Sequence, residues 1–182
     1  MSSRLILYPV NQLDVSNDKI VETLHQLGMI SSGIEHAGDN RYLIGARFLQ
    51  YITFMGCAPA IELAPLENGS SEFCHVEIGQ QEKSLKFIAD DTLANPRCPE
   101  CKESISNWQE QMHNWQAGDL MSCPNCRAKL APENLNWRRA AGFVQQYVAI
   151  HGVYPKEALP TEALLNKLED VFGCSWDYFY AR

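Results

Sequence analysis

Four cysteines carry the clearest chemistry in this chain of 182 residues. They stand as Cys98-Pro99-Glu100-Cys101 and Cys123-Pro124-Asn125-Cys126, with residues 102–122 between the pairs. Two residues between cysteines let one tight turn present both thiolates to a single ion. Two such turns supply the four sulfurs of a zinc tetrahedron. Proline inside each pair presets φ and stiffens the turn. A single CxxC beside a strand–helix unit would suit thiol–disulfide exchange instead, but two pairs at this interval favour metal. Four thiolates close the coordination shell, so the expected zinc is structural. Its binding free energy, on the order of 10 kcal/mol, becomes folding free energy.

This arrangement resembles a zinc ribbon over residues 98–126. The resemblance implies a four-cysteine zinc site with no open coordination position, and a β-hairpin between the knuckles. The intervening residues read differently. Ile105, Trp108, Met112 and Trp115 recur at helical spacing, Ser106 and Gln109 fit a capping box, and Gly118 can end a helix. Helix and hairpin are both open for residues 105–117. The rest of the chain resembles small bacterial proteins with a similar double CPxC insert, and that resemblance implies no activity.

Other reactive residue types lack such support. His113 lies between the pairs, where four cysteines already complete the shell. Cys57, Cys74 and Cys174 stand alone; Cys57 reads as a packing residue, since free cysteine is among the most buried types, and the sequence assigns no role to Cys74 or Cys174. Cys74 and His75 are neighbours on an expected strand and point to opposite faces, so they form no local dyad. His25 and His151 read as structural, and Asp90-Asp91 as a solvated turn. Arg138-Arg139 is the only basic doublet, and alone it says little about phosphate. Trp108 and Trp115 either pack on the main sheet or offer a partner surface, because Trp is enriched in binding hot spots.

The elements that must position these residues read as an α+β fold. Mostly antiparallel sheet is expected, with two or three helices and an inserted zinc-ribbon-like segment. Expected strands are Arg4 to Pro9, Ala60 to Ala64, Phe73 to Ile78, Leu85 to Ala89, Phe143 to Tyr154 and Trp176 to Tyr180. The Asn68-Gly69 dipeptide marks a turn between two of them. Expected helices run from Asn17 to Met29, over residues 46–55 with Gly56 as cap, where Tyr51, Ile52, Thr53 and Phe54 leave a strand as the alternative, and after Thr161 through Leu164, Leu168, Val171 and Phe172. Residues 31–41, with their glycines, read as a loop. The implied organisation is a first part of the domain at 1–95, a zinc-binding insert at 96–139 and a second part at 140–182.

Composition is ordinary for a globular chain, with 46% apolar and 20% charged residues. The net charge of −7, without any Lys/Arg cluster, argues against binding nucleic acid or an anionic membrane. The run after Arg4 is too short and too soon broken by Pro9 for a signal peptide, and no stretch reads as a membrane span. A cytoplasmic location is expected. There is no glycine-rich phosphate loop, no GxSxG and no HExxH. The favoured function is a non-enzymatic binding or adaptor protein with a structural zinc and a protein partner. The alternatives are an enzyme whose active site lies in the main α+β domain, and a nucleic-acid-binding protein.

Overall fold

The chain enters its central sheet at once, as β1 (Ser3–Pro9). In this computed structural model, which describes residues 3–34, 40–55, 61–65, 73–90, 93–154 and 156–182, Leu5 and Leu7 pack into one core and Ile6 into another. All three are fully buried, so the strand is covered on both faces.

Helix α1 (Asn17–Leu27) supplies part of one cover. The Ser16 side chain accepts from the Lys19 N–H at its start, and Gly28, at φ 73°, takes the left-handed conformation at its end. Ile20 and Leu24, one turn apart, are buried against β1. The expected loop that follows contains a strand pair, β2 (Ile30–Gly33) and β3 (Arg41–Ile44). Their Ser and Gly content hides the strand signal.

The helix expected over 46–55 shrinks to one turn, α2 (Phe48–Tyr51), which runs directly into β4 (Ile52–Phe54). Ile52, Thr53 and Phe54 are β-branched or aromatic and take the extended form once a partner strand is present. Gly56, Cys57 and the Asn68-Gly69 turn lie outside the described residues. Residues 61–65 form no strand, contrary to the expectation for 60–64.

The chain continues through β5 (His75–Ile78), β6 (Lys86–Ala89), the single-turn helix α3 (Trp108–Met112), and the short strands β7 (Met121–Ser122) and β8 (Lys129–Leu130). It closes with β9 (Ala141–Val144), β10 (Val148–Val153), β11 (Ala158–Pro160), α4 (Glu162–Phe172) and β12 (Trp176–Ala181). Thr161 caps α4 and Gly173, at φ 71°, ends it, as expected. The run expected as one strand from Phe143 to Tyr154 is two, β9 and β10, which belong to different sheets.

Among the described residues, four helices and mostly antiparallel strands make the protein α+β. The main sheet has the order β12-β1-β10-β5-β3-β2, and every pairing in it is antiparallel. Helices α1 and α4 cover one face, with Leu164 and Leu168 joining Ile20 and Leu24 over Val148, Ile150 and Val76. The other face receives the hairpin-like pair β6–β9, in the register Phe87↔Phe143 and Ile88↔Gly142. β6 pairs not with β5, the strand before it in the chain, but with a strand more than fifty residues later.

The β6–β9 pair is the hinge of the architecture. Strand alternation sends Ile88 and Val144 toward the main sheet, where they meet Ile6, Ala149 and Phe179. It sends Phe87 and Phe143 the other way, into a third core shared with the cysteine segment. Close approach to the main sheet requires Gly142, since a Cβ there would sit 2.3 Å from the Phe179 ring. The layers are therefore helices, main sheet, β6–β9 pair and cysteine segment.

Candidate metal centre

Each cysteine pair lies in a turn with the same internal bonding. The Cys98 N–H donates to Glu103 O at 2.9 Å, and the Lys102 N–H donates back to Cys98 O at 3.0 Å. In the second turn Cys123 N–H donates to Ala128 O at 3.0 Å, and Arg127 N–H to Cys123 O at 2.9 Å. The residue after each second cysteine is left-handed, Lys102 at φ 64° and Arg127 at φ 63°. Both turns sit on short antiparallel stems. One is the bridge Arg97↔Ser104, and the other is the β7–β8 pair with Ser122↔Lys129. Two knuckles thus arise from the same local rule applied twice.

The knuckles face each other. Cys98 Sγ lies 3.8 Å from Cys126 Sγ, and Cys101 Sγ lies 3.7 Å from Cys123 Sγ. All four sulfurs are within 4.8 Å of one another, and none is in a disulfide. A zinc tetrahedron with Zn–S bonds of about 2.3 Å has edges of about 3.8 Å. The sulfurs are therefore close enough to bind one metal ion at tetrahedral spacing. Cys98 and Cys123 are buried, Cys101 is half-buried and Cys126 is exposed.

The proton equilibria of Cys101 and Cys126 differ. The Asn125 side chain and the Glu103 N–H donate to Cys101 and lower its pKa to about 6. Cys126 receives the Ala128 N–H, which favours its thiolate. Desolvation and the adjacent sulfurs of Cys123, Cys101 and Cys98 outweigh that and push it up to about 12. Four thiolates this close would repel one another. A divalent cation removes that conflict.

Packing holds the knuckles from behind. Cys98 and Cys123 share a core with Ile105, Met121, Leu135 and Trp137. Trp108 is only 8% exposed; its Nε1–H donates to Asn95 Oδ1 at 3.2 Å, and its ring meets Trp137 edge-on at 5.2 Å. Trp115 is half-buried, edge-on to Phe143 at 5.0 Å. Trp108 is thus a core residue and presents no docking face. The indoles pack not on the main sheet but on Phe87 and Phe143 of the β6–β9 pair. The stretch expected as helix or hairpin is helical for one turn only, α3, and passes into turns before β7.

The ends of the segment are clamped. Arg97 and Asn136 exchange two backbone bonds of 3.0 Å, and the Asp90 N–H donates to Ala140 O at 3.0 Å. Residues 93–140 therefore extend from the tip of the β6–β9 pair.

The remaining sequence candidates scatter. His113 is exposed and outside the sulfur cluster. Burial raises the Cys74 thiol to about 12, which makes it a poor nucleophile. His25 meets Tyr42 edge-on at 5.9 Å, and Asp90 pairs with Arg182 at 3.6 Å; Asp91 lies outside the described residues.

His75 and His151 come together in a way that sequence reasoning missed. They are register partners across β5 and β10, and their rings stack 4.6 Å apart, nearly parallel. Glu77, on the same face, lies 3.2 Å from His151 Nε2 and accepts from Arg41 Nε at 3.0 Å. The His151 imidazole, with help from Arg41, lowers the Glu77 pKa to about 2 against the opposing effect of its burial.

Fold and site define an α+β protein with four cysteines gathered closely enough to bind a metal ion at the end of a β-strand pair. Among the described residues that cluster is the single His/Cys/Asp/Glu group arranged to hold an ion, and no helix is long and apolar enough to cross a membrane. No protein-family model, no curated protein and no solved structure matches the chain.

Proposed function

We propose that the chain is a zinc-binding protein with a structural Cys98/Cys101/Cys123/Cys126 site, acting as a binding or adaptor protein rather than an enzyme. The observation that carries this reading is the sulfur geometry, with opposed pairs at 3.7 and 3.8 Å and all four within 4.8 Å. Four thiolate donors select a soft or borderline cation, and tetrahedral sulfur points to zinc among common biological metals. The two knuckles on short stems support a zinc-ribbon-like module, with α3 in place of the usual hairpin between them. In this reading residues 96–139 are an insert between two parts of one domain, 1–95 and 140–182. Reduced cysteines fit a cytoplasmic location. A docking role of the insert toward a protein partner falls to half-buried Trp115 and to Leu120, 59% exposed, and not to Trp108.

Metal analysis of protein purified without chelator tests the site. One zinc per chain is expected, and cobalt substituted for it gives the intense sulfur-to-metal absorption of a tetrahedral thiolate site. Cys98→Ser abolishes both. Protein that carries no metal while all seven cysteines titrate freely in the folded state overturns the reading.

A further inference from the structure

A cleft of ≈ 780 Å³ lies between the return arm of the cysteine segment, the β6–β9 pair and the neighbouring ends of β1 and β12. That volume is in the range of small-molecule sites, and junctions between structural units are where such sites concentrate. Lys83, Arg138 and Arg139 bring three cations to its walls, against the carboxylates of Glu133 and Asp177.

The cations are not equivalent. Arg139 is engaged: its Nη1 donates to Asp177 Oδ1 at 2.7 Å and to Tyr178 O at 2.8 Å, and its guanidinium lies 3.8 Å over the Tyr178 ring. Arg138 donates from Nη2 to a neutral acceptor, Asn95 O, at 2.9 Å. Among the described residues neither Arg138 nor Lys83 has a carboxylate at ion-pair distance. Arg138 and Lys83 thus line one concave surface without an ion-pair partner, beside one free carboxylate, Glu133, in a chain whose net charge is −7.

The backbone adds a second observation. Arg138 and Arg139 are consecutive left-handed residues, at φ 54° and 60°. Non-glycine residues adopt this conformation at a cost and keep it where their surroundings impose it. Here the Arg138 N–H donates to Asn136 Oδ1 at 3.0 Å, and Arg139 O accepts from the Tyr180 N–H at 2.8 Å. Glycine would make the turn without strain, but it would leave no guanidinium on the wall. The amides of Asn11, Gln12 and Asn136 add donors and acceptors, and Tyr8 adds a ring.

We propose that this cleft binds a small polar molecule bearing a phosphate group. Arg138 and Lys83 take the phosphate, and the neighbouring amides take the hydroxyls or ring nitrogens of its body. Two cationic donors suit a phosphate monoester, which approaches a dianion near neutral pH, and arginine meets its oxygens with two parallel N–H donors. The proposal rests on the reading of the chain as a binding protein, and it does not depend on which metal the cysteines hold.

The test is a titration of the metal-loaded full chain with inorganic phosphate and with glucose 6-phosphate, followed by ¹H–¹⁵N spectra at matched ionic strength, with glucose as the uncharged control. Both phosphates shift the Arg138 Nε–H and the Gly142 amide saturably, and glucose shifts neither. Arg138→Gly, which suits the left-handed φ, and Lys83→Gln each weaken binding roughly tenfold, and the double variant abolishes it. The proposal is overturned by the absence of saturable shifts up to about 20 mM phosphate, near the weakest affinity worth the name. Equal shifts with glucose, or unchanged binding in the double variant, overturn it as well. Metal content measured on the same samples reports separately on the cysteine site.

Discussion

Lys102 and Arg127 occupy the same place in the two knuckles, and each holds a left-handed backbone that costs a non-glycine residue about 1–2 kcal/mol. Metal coordination and the paired hydrogen bonds around Cys98 and Cys123 are what can sustain it. Residue chemistry also sets the response to acid on the main sheet. The His75 ring donates through Nδ1 to Phe73 O at 2.9 Å, which leaves Nε2 buried and without a partner. A proton on Nε2 would be buried unpaired, and desolvation accordingly lowers the His75 pKa below 6.5, with Arg41 and His151 adding to the effect. As pH falls, the unfolded chain takes up this proton before the folded one. Stability present above 6.5 is therefore lost as pH drops through and below that value. Glu77, with its pKa at about 2, extends the loss below about 4.5. His75→Asn keeps a donor for Phe73 O but does not titrate. Urea midpoints measured between about pH 7.5 and 5.5, above most carboxylate titration, are expected to fall less in this variant than in wild type. Parallel curves would rule the account out. None of this was legible beforehand. Cys74-His75 reads as two opposed side chains, and the true partner, His151, is reached only through strand register.

The element that decides the architecture is the β6–β9 pair, because its two faces belong to different cores. Phe87 touches Trp108, Trp137 and Phe143 at ring separations of 6.1, 5.1 and 4.9 Å. It is the centre of the aromatic contact between the cysteine segment and the rest of the protein. Phe87→Ala is expected to cost about 2–4 kcal/mol in the metal-loaded protein, somewhat less than a fully buried Phe because the residue is half-buried. Phe87→Leu retains most of the packing and costs about half as much. Chemical denaturation of both variants checks the order, and a loss under about 1 kcal/mol for the Ala variant would show that the segment stands without this contact. Elements with local signals were readable: α1 and α4 through caps and apolar spacing, β1 and β12 through aromatic and branched runs, the knuckles through cysteine spacing. The β2–β3 pair was not, since Ser31, Ser32 and Gly33 look like loop. Nor was the partner of β6, because pairing across a fifty-residue excursion depends on the cysteine segment bringing its own ends together at Arg97 and Asn136.

At the scale of the molecule, two structures of different origin share one chain. The main sheet and its helices bury Leu5, Leu7, Ile20, Leu24, Val148, Ile150, Leu164 and Leu168, an apolar core that needs no metal. The segment from 97 to 137 has only a one-turn helix, a 3-10 turn and two-residue strands. So little regular structure cannot meet the conformational entropy of ordering some forty residues, about 1–2 kcal/mol each for the backbone alone, without metal coordination and the aromatic contact together. Removing the metal should therefore divide the protein. With a strong chelator and a reductant present, amide exchange is expected to rise by orders of magnitude across 97–137 and moderately in β6 and β9. Protection in β1, β10 and β12 should change little. The cleft wall at Asn136 belongs to the loosened part, and Arg138 adjoins it, so the shape of the cleft goes with the metal. Full unfolding of the main sheet on chelation would mean that the cysteine site supports the entire molecule. Unchanged exchange within the segment would mean that the knuckles hold their form without an ion, and the structural role assigned to the four sulfurs would fall.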